Sequence, residues 1–100
     1  GVNIFPIQIE KILMQFTELA SNYLITLTTD DDNDNMTVEV ELEDLFTDDY
    51  SRLQTLQKNI QRALKDEILL TPHVKLVPKG SLPVSEGKAV RVIDKRKVYQ

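Results

Sequence analysis

Met36-Thr37-Val38-Glu39-Val40-Glu41-Leu42-Glu43 alternates apolar and polar side chains without a break. Successive side chains of a strand point to opposite faces, so Met36, Val38, Val40 and Leu42 line one face and Thr37, Glu39, Glu41 and Glu43 the other. The stretch predicts a strand with one face on a core and one in water. The glutamate row is its wet face or, in a larger enzyme, a surface for a partner domain. Upstream, Asp30 to Asn35 is a polar turn. Tyr23 to Thr29 is rich in β-branched and aromatic residues and predicts a second strand. The two strands make an antiparallel hairpin.

Outward from the hairpin the period changes. Ile9, Ile12, Leu13, Phe16, Leu19 and Ala20 recur at helical spacing and predict a helix from Pro6 to about Ala20. Pro6 suits the first turn, where its missing N–H has no intrahelical partner to lose. A second helix starts after a cap at Thr47 or Asp48 and runs to about Leu69, with Leu53, Leu56, Ile60, Ala63, Leu64 and Ile68 as its stripe. Thr71-Pro72 stops it. Val74 to Val77 is a short strand, and Val90 to Ile93 a shorter extended piece before a basic tail. The order is α-β-β-α-β plus a tail strand. Two apolar helix stripes need a sheet face to cover. The expected fold is therefore an α/β (α+β) two-layer sandwich: a small, mostly antiparallel sheet covered by two helices.

One hundred residues make one domain, spanning 1–100. Hydrophobic residues are 41% and charged residues 28%, an ordinary globular balance. The formal charge of −4 excludes sequence-independent nucleic-acid binding, which needs a basic footprint. There is no cysteine, hence no disulfide framework and no thiolate chemistry. That absence fits a cytoplasmic protein. No apolar run has the length of a membrane span, so no membrane partner is expected.

Two segments carry chemistry. Pro78, Gly80, Pro83 and Gly87 break up the stretch around Ser81-Leu82-Pro83-Val84-Ser85-Glu86-Gly87-Lys88-Ala89-Val90-Arg91, which excludes a helix or a central strand there. Lys88 is then a compact charge on a flexible stem, carried by a loop. At the other end, Gly1-Val2-Asn3-Ile4-Phe5-Pro6-Ile7-Gln8-Ile9-Glu10 is a glycine start, a short apolar run, a proline and a helix. Together the two segments resemble the C-terminal domain of phenylacetate–CoA ligases, a branch of the acyl-adenylate-forming enzymes. That family reads roughly G-V-N-x-F-P-x-x-I-E near the start of the domain and L-P-R-S-E-G-K-A-x-R-V near its end. The chain departs at Val84, where the family usually has Arg, which removes any contact made by that Arg.

The resemblance implies the mobile C-terminal (lid) domain of an AMP-forming aryl-acid–CoA ligase. The large N-terminal adenylating domain and the hinge are absent from these residues. Gly1 stands inside the motif, so a larger polypeptide is expected upstream. The implied substrates and cofactor of the full enzyme are ATP, coenzyme A, an aryl acid and Mg²⁺, with none bound to the fragment, which alone should be inactive. Lys88 is the implied catalytic residue, the cation of the adenylation step. Ser85, Glu86 and Gly87 shape its loop. Gly1, Val2 and Asn3 line part of the pantetheine channel in the second step, after the domain rotates. The partner is the chain's own N-terminal domain, and an oligomer is compatible with all of this. The residues by themselves also fit a free-standing α/β ligand-sensing or interaction module that dimerises through a sheet edge.

Blander readings accompany the rest. Ile4 and Phe5 staple the first helix to the core, and Glu10 complements the helix dipole. Asp30, Asp32, Asp34 and Glu41 fall at positions one, three, five and twelve of an EF-hand-like loop. Asn35 stands where that loop needs glycine, and strands flank it, so a solvated hairpin tip is preferred and no metal site is assigned. His73, the single histidine, has no Cys or second His as partner and reads as structural. Lys95, Arg96 and Lys97 read as a solvated tail.

Overall fold

The alternating stretch lies in the inner hairpin of a mixed four-stranded sheet. The computed structural model of the chain describes residues 6–31, 33–43, 49–68, 70–83 and 92–96. Its elements run α1 (Pro6–Leu13), β1 (Leu19–Asp30), β2 (Asn33–Leu42), α2 (Tyr50–Glu67), β3 (His73–Val77) and β4 (Val92–Asp94). The strand order is β3-β2-β1-β4. β1 and β2 pair antiparallel as expected. Both outer strands run parallel to their neighbours, β3 to β2 and β4 to β1. A parallel pair needs a crossover, and α2 supplies it between β2 and β3. The α+β two-layer fold expected from the two periods is found, but the sheet is mixed, with two of its three pairings parallel, where a mostly antiparallel one was expected.

The alternation sets the core. Tyr23, Ile25 and Leu27 of β1 stand opposite Val40, Val38 and Met36 of β2, and all six are buried. Val74 of β3 pairs with Val38 and continues the layer. Against it lie Ile9, Ile12 and Leu13 of α1 and Leu56, Ile60 and Leu64 of α2. Each such side chain contributes roughly 1.5–3 kcal/mol on burial.

Asp49 caps α2, in place of the expected Thr47 or Asp48, by accepting from the Arg52 N–H at 3.1 Å. Gln57 and Gln61, one turn apart, donate from Nε2 to the Val74 and Pro72 carbonyls and tie the helix to β3.

The first helix is shorter than its stripe. Met14 N–H still reaches the Glu10 carbonyl, but Gln15 and Phe16 bond three residues back, to Ile12 and Leu13, so the end tightens and stops. Phe16, Leu19 and Ala20 fit helical spacing, yet Leu19 pairs with Leu42 and starts β1. Glu43 N–H donates to the Glu18 carbonyl at 3.0 Å and extends that pairing. Sheet hydrogen bonds overrode the weak local helical preference.

At the far end the hairpin closes tightly. Asp30 pairs with Asn33, and Asp31 takes a φ of 46°, a left-handed conformation that Asp tolerates better than most residues.

Candidate functional site

The two ends of the lysine-bearing stretch attach at defined places on the sheet. Lys88, Ser85, Glu86 and Gly87 lie outside the described residues, as do Gly1, Val2 and Asn3. Residues 78–83, where the stretch begins, and 92–96, where it ends, are described.

β3 ends where Val77 stands beside Glu41, at the C-terminal end of β2. The chain then turns. Ser81 N–H donates to the Pro78 carbonyl at 3.1 Å, and Gly80 has a φ of 85° while Lys79 stays at negative φ. A positive φ at the third turn residue alone is the type II pattern, and it calls for glycine. The turn aims two backbone N–H groups at one carboxylate. Glu41 Oε1 accepts from Gly80 N–H at 3.0 Å, and Oε2 accepts from Leu82 N–H at 2.9 Å.

A third donor comes from β1. The ladder pairs Leu19 with Leu42 and Tyr23 with Val40. Ala20, Ser21 and Asn22 therefore stand opposite Glu41 alone, a bulge of the kind that re-aims a side chain. Asn22 Nδ2 donates to Glu41 Oε2 at 3.0 Å. Lys79 Nζ adds a surface ion pair with Glu43 at 3.1 Å, a contact of little energetic weight at that exposure.

The wet face expected for Glu39, Glu41 and Glu43 is thus corrected at Glu41, which is only 4% exposed. Burial pushes its carboxyl up. The Gly80 and Leu82 N–H groups, then Asn22, then the Lys79 charge, outweigh that and hold it below its ordinary value. The side chain is a buried anion with its acceptors in use. The loop, not solvent, covers this end of the strand.

The exit is pinned as well. Val92 pairs with Ile25, and Lys95 N–H donates to the Leu27 carbonyl at 2.7 Å. The Arg96 guanidinium forks onto Asp94, Nε to Oδ1 at 3.0 Å and Nη2 to Oδ2 at 2.7 Å, and Nη1 reaches Asp34 at 3.3 Å. The fork on Asp94, with the Arg96 N–H on the same carboxylate, lowers the Asp94 pKa to about 2. Arg96 is therefore not part of a solvated tail: it joins β4 to the hairpin tip.

The twelve-residue calcium reading has no geometric basis. Glu41 lies eight residues along β2 from Asn33, roughly 26 Å at strand rise, and its carboxylate is taken by Gly80, Leu82 and Asn22. Among the described residues no group of three or more His, Asp or Glu side chains is arranged to hold a metal ion. His73 is exposed at the start of β3.

A domain in which a buried carboxylate grips the start of a Gly/Pro-punctuated lysine segment can be compared with known proteins. The family model described as the AMP-binding enzyme C-terminal domain matches residues 1–96. The chain belongs to this family. A crystal structure of a domain of phenylacetate–coenzyme A ligase from Bacteroides vulgatus is 69% identical, with a TM-score of 0.88 over 99% of this chain and 91% of that one. The phenylacetate–coenzyme A ligase of Thermus thermophilus is 32% identical over 97% of the chain and 25% of its own length. That of Escherichia coli is 32% identical over 98% and 23%. A 2-hydroxyisobutyryl-CoA ligase with 2-HIB-AMP and CoA in the thioesterification state is 26% identical over 97% of this chain and 20% of its own, TM-score 0.85. The chain spans about a quarter of the length of the curated relatives it matches. As an AMP-binding enzyme C-terminal domain, it presents the β3–β4 connection as the part that bears its lysine motif.

Proposed function

We propose that the chain is the mobile C-terminal domain of an AMP-forming aryl-acid–CoA ligase of the phenylacetate type. The observation that carries this reading is the full-length match to a phenylacetate–coenzyme A ligase domain. The fixed exit of the lysine segment from the Glu41 clamp supports it. In the first half-reaction a carboxylate oxygen of the acid attacks the α-phosphorus of ATP, and pyrophosphate leaves. Negative charge gathers at that phosphorus, and Lys88, presented from the β3–β4 connection, stabilises it more in the transition state than in the ground state. Gly87 gives the backbone freedom next to it, and Ser85 and Glu86 shape the segment. In the second half-reaction the thiol of coenzyme A attacks the acyl carbon, AMP leaves, and the thiol proton is released. Gly1, Val2 and Asn3 then border the pantetheine arm once the domain has turned. Solved states of a related ligase, named for postadenylation and for thioesterification, both contain a domain like this one, which suits a two-position scheme.

ATP, coenzyme A and the aryl acid are substrates of the whole enzyme in this proposal. Magnesium accompanies the ATP phosphates in the same proposal. The test is pyrophosphate exchange by the intact protein against a panel of aromatic and aliphatic acids. Exchange driven by aryl acids is expected. Lys88→Ala should slow it by about a hundredfold or more while thioester formation from supplied acyl-adenylate changes far less. Equal damage to both half-reactions refutes the role given to Lys88.

A further inference from the structure

Glu41 is a costly way to end a strand. A carboxylate removed from water must have its charge matched by hydrogen-bond donors or opposite charge. Here the charge is matched by groups remote in sequence: the N–H groups of Gly80 and Leu82 and the side-chain amide of Asn22. The two backbone donors flank Ser81, so the carboxylate fixes the direction of the chain as well as its position. Leu82 is itself buried, 7% exposed. Leu82 lies six residues before Lys88, and the clamp is the last described attachment on that side.

We propose that Glu41, oriented by Asn22 across the β1 bulge, is a positioning residue for acid adenylation: it fixes the root of the segment that delivers Lys88. The inference rests on the adenylation role given to Lys88 above. Three hydrogen bonds onto an ionised acceptor are stronger than their neutral counterparts. They restrict the directions in which the segment leaves the sheet. A charged group acting on a transferring phosphoryl centre is sensitive to displacement, on the order of a hundredfold for about 1 Å. Freedom at the root therefore reads out as a slower adenylation step. The thiol step, which does not use Lys88, is spared.

Glu41→Gln in the intact ligase is the direct test. Glutamine keeps the volume but turns one acceptor oxygen into an NH₂ that faces another donor. Adenylation, measured by pyrophosphate exchange at saturating substrates, should fall about tenfold. Thioester formation from supplied acyl-adenylate should stay within about twofold. The decisive measurement is the cycle with Lys88→Ala: if Glu41 acts through Lys88, adding Glu41→Gln to Lys88→Ala costs adenylation nothing further. Multiplicative losses, or equal loss in both half-reactions, overturn the positioning role while leaving Lys88 in place. A Lys88→Ala enzyme with normal adenylation overturns the role of the lysine and this inference with it. Should Glu41→Gln not fold, Asn22→Ala carries the same cycle. It removes one donor and keeps both backbone donors, for an expected loss of about threefold confined to adenylation.

Discussion

Asn22 and Glu41 face each other across a bulge in the central hairpin, amide nitrogen to carboxylate oxygen at 3.0 Å. The same oxygen accepts from Leu82 N–H at 2.9 Å. A hairpin irregularity and a crossover segment some 40 residues later (41 to 82) are therefore one structure. The bulge exists because three β1 residues must fit opposite one β2 residue, and its effect is to bring an amide to a buried charge.

The stability of that charge depends on pH in a defined sense. Glu41 is held below its ordinary pKa of 4.5 in the folded chain. A depressed carboxylate stabilises the fold above its unfolded pKa, and that stabilisation disappears as pH falls through the folded value. Glu41→Leu at pH 7 should cost about 1–3 kcal/mol for each N–H left without an acceptor, read from urea unfolding of the 100-residue chain. The wild-type advantage over Glu41→Gln should shrink as the pH is lowered from 6 to 3. An advantage that grows on acidification contradicts the clamp.

Gly80 offers an independent probe of the turn. Its φ of 85° is strained for any L side chain, yet a Cβ built there meets nothing within 4 Å. Gly80→Ala should therefore cost only the conformational penalty, about 1–2 kcal/mol, without a clash. Amide exchange at Leu82 should quicken while exchange at Val38, in the middle of the sheet, is unchanged. Equal acceleration at both would mean that the turn is not a separable unit.

Asp94 and Arg96 give the fold a titration signature. Proton NMR titration should place the Asp94 carboxyl near its value of about 2, and Arg96→Ala should return it toward 3.8. Its contribution, like that of Glu41, is present above the ordinary value and is lost on acidification. An Asp94 midpoint that ignores Arg96→Ala would remove the fork as its cause.

The layers of the fold were legible because their periods survive in the sequence. Met36, Val38, Val40 and Leu42 are all buried, and Leu56, Ile60 and Leu64 hold one helix face. The end of α1 was not legible, since Phe16, Leu19 and Ala20 satisfy helical spacing and only pairing with Leu42 decides for strand. Strand direction at the edges was also hidden: nothing in Val74–Val77 or Val92–Ile93 encodes parallel pairing. At the site, Lys88 and Asn3 are read through family resemblance. Glu41 was missed because alternation assigns a residue to a face without saying what covers that face. Its donors sit at 22, 80 and 82, and backbone N–H groups leave no mark in side-chain chemistry. The Pro78-Lys79-Gly80 turn was a visible signal that the chain bends there, but toward what was not.

The proposed pantetheine role of the first three residues separates from that of Lys88 by half-reaction. Backbone beside a thin amide-bearing ligand offers it N–H and C=O groups, and a bulky side chain would occupy the space the arm needs. Asn3→Trp in the intact ligase should therefore raise the KM for coenzyme A and slow thioester formation about tenfold or more, a loss on the order of 1.4 kcal/mol in transition-state stabilisation. Pyrophosphate exchange, which needs no coenzyme A, should be nearly unchanged. This is the mirror image of Lys88→Ala, so the two variants together test whether one small domain serves two chemistries from two places. A slowed exchange reaction in Asn3→Trp with normal thioester formation would reverse the assignment and place residues 1–3 against the nucleotide instead.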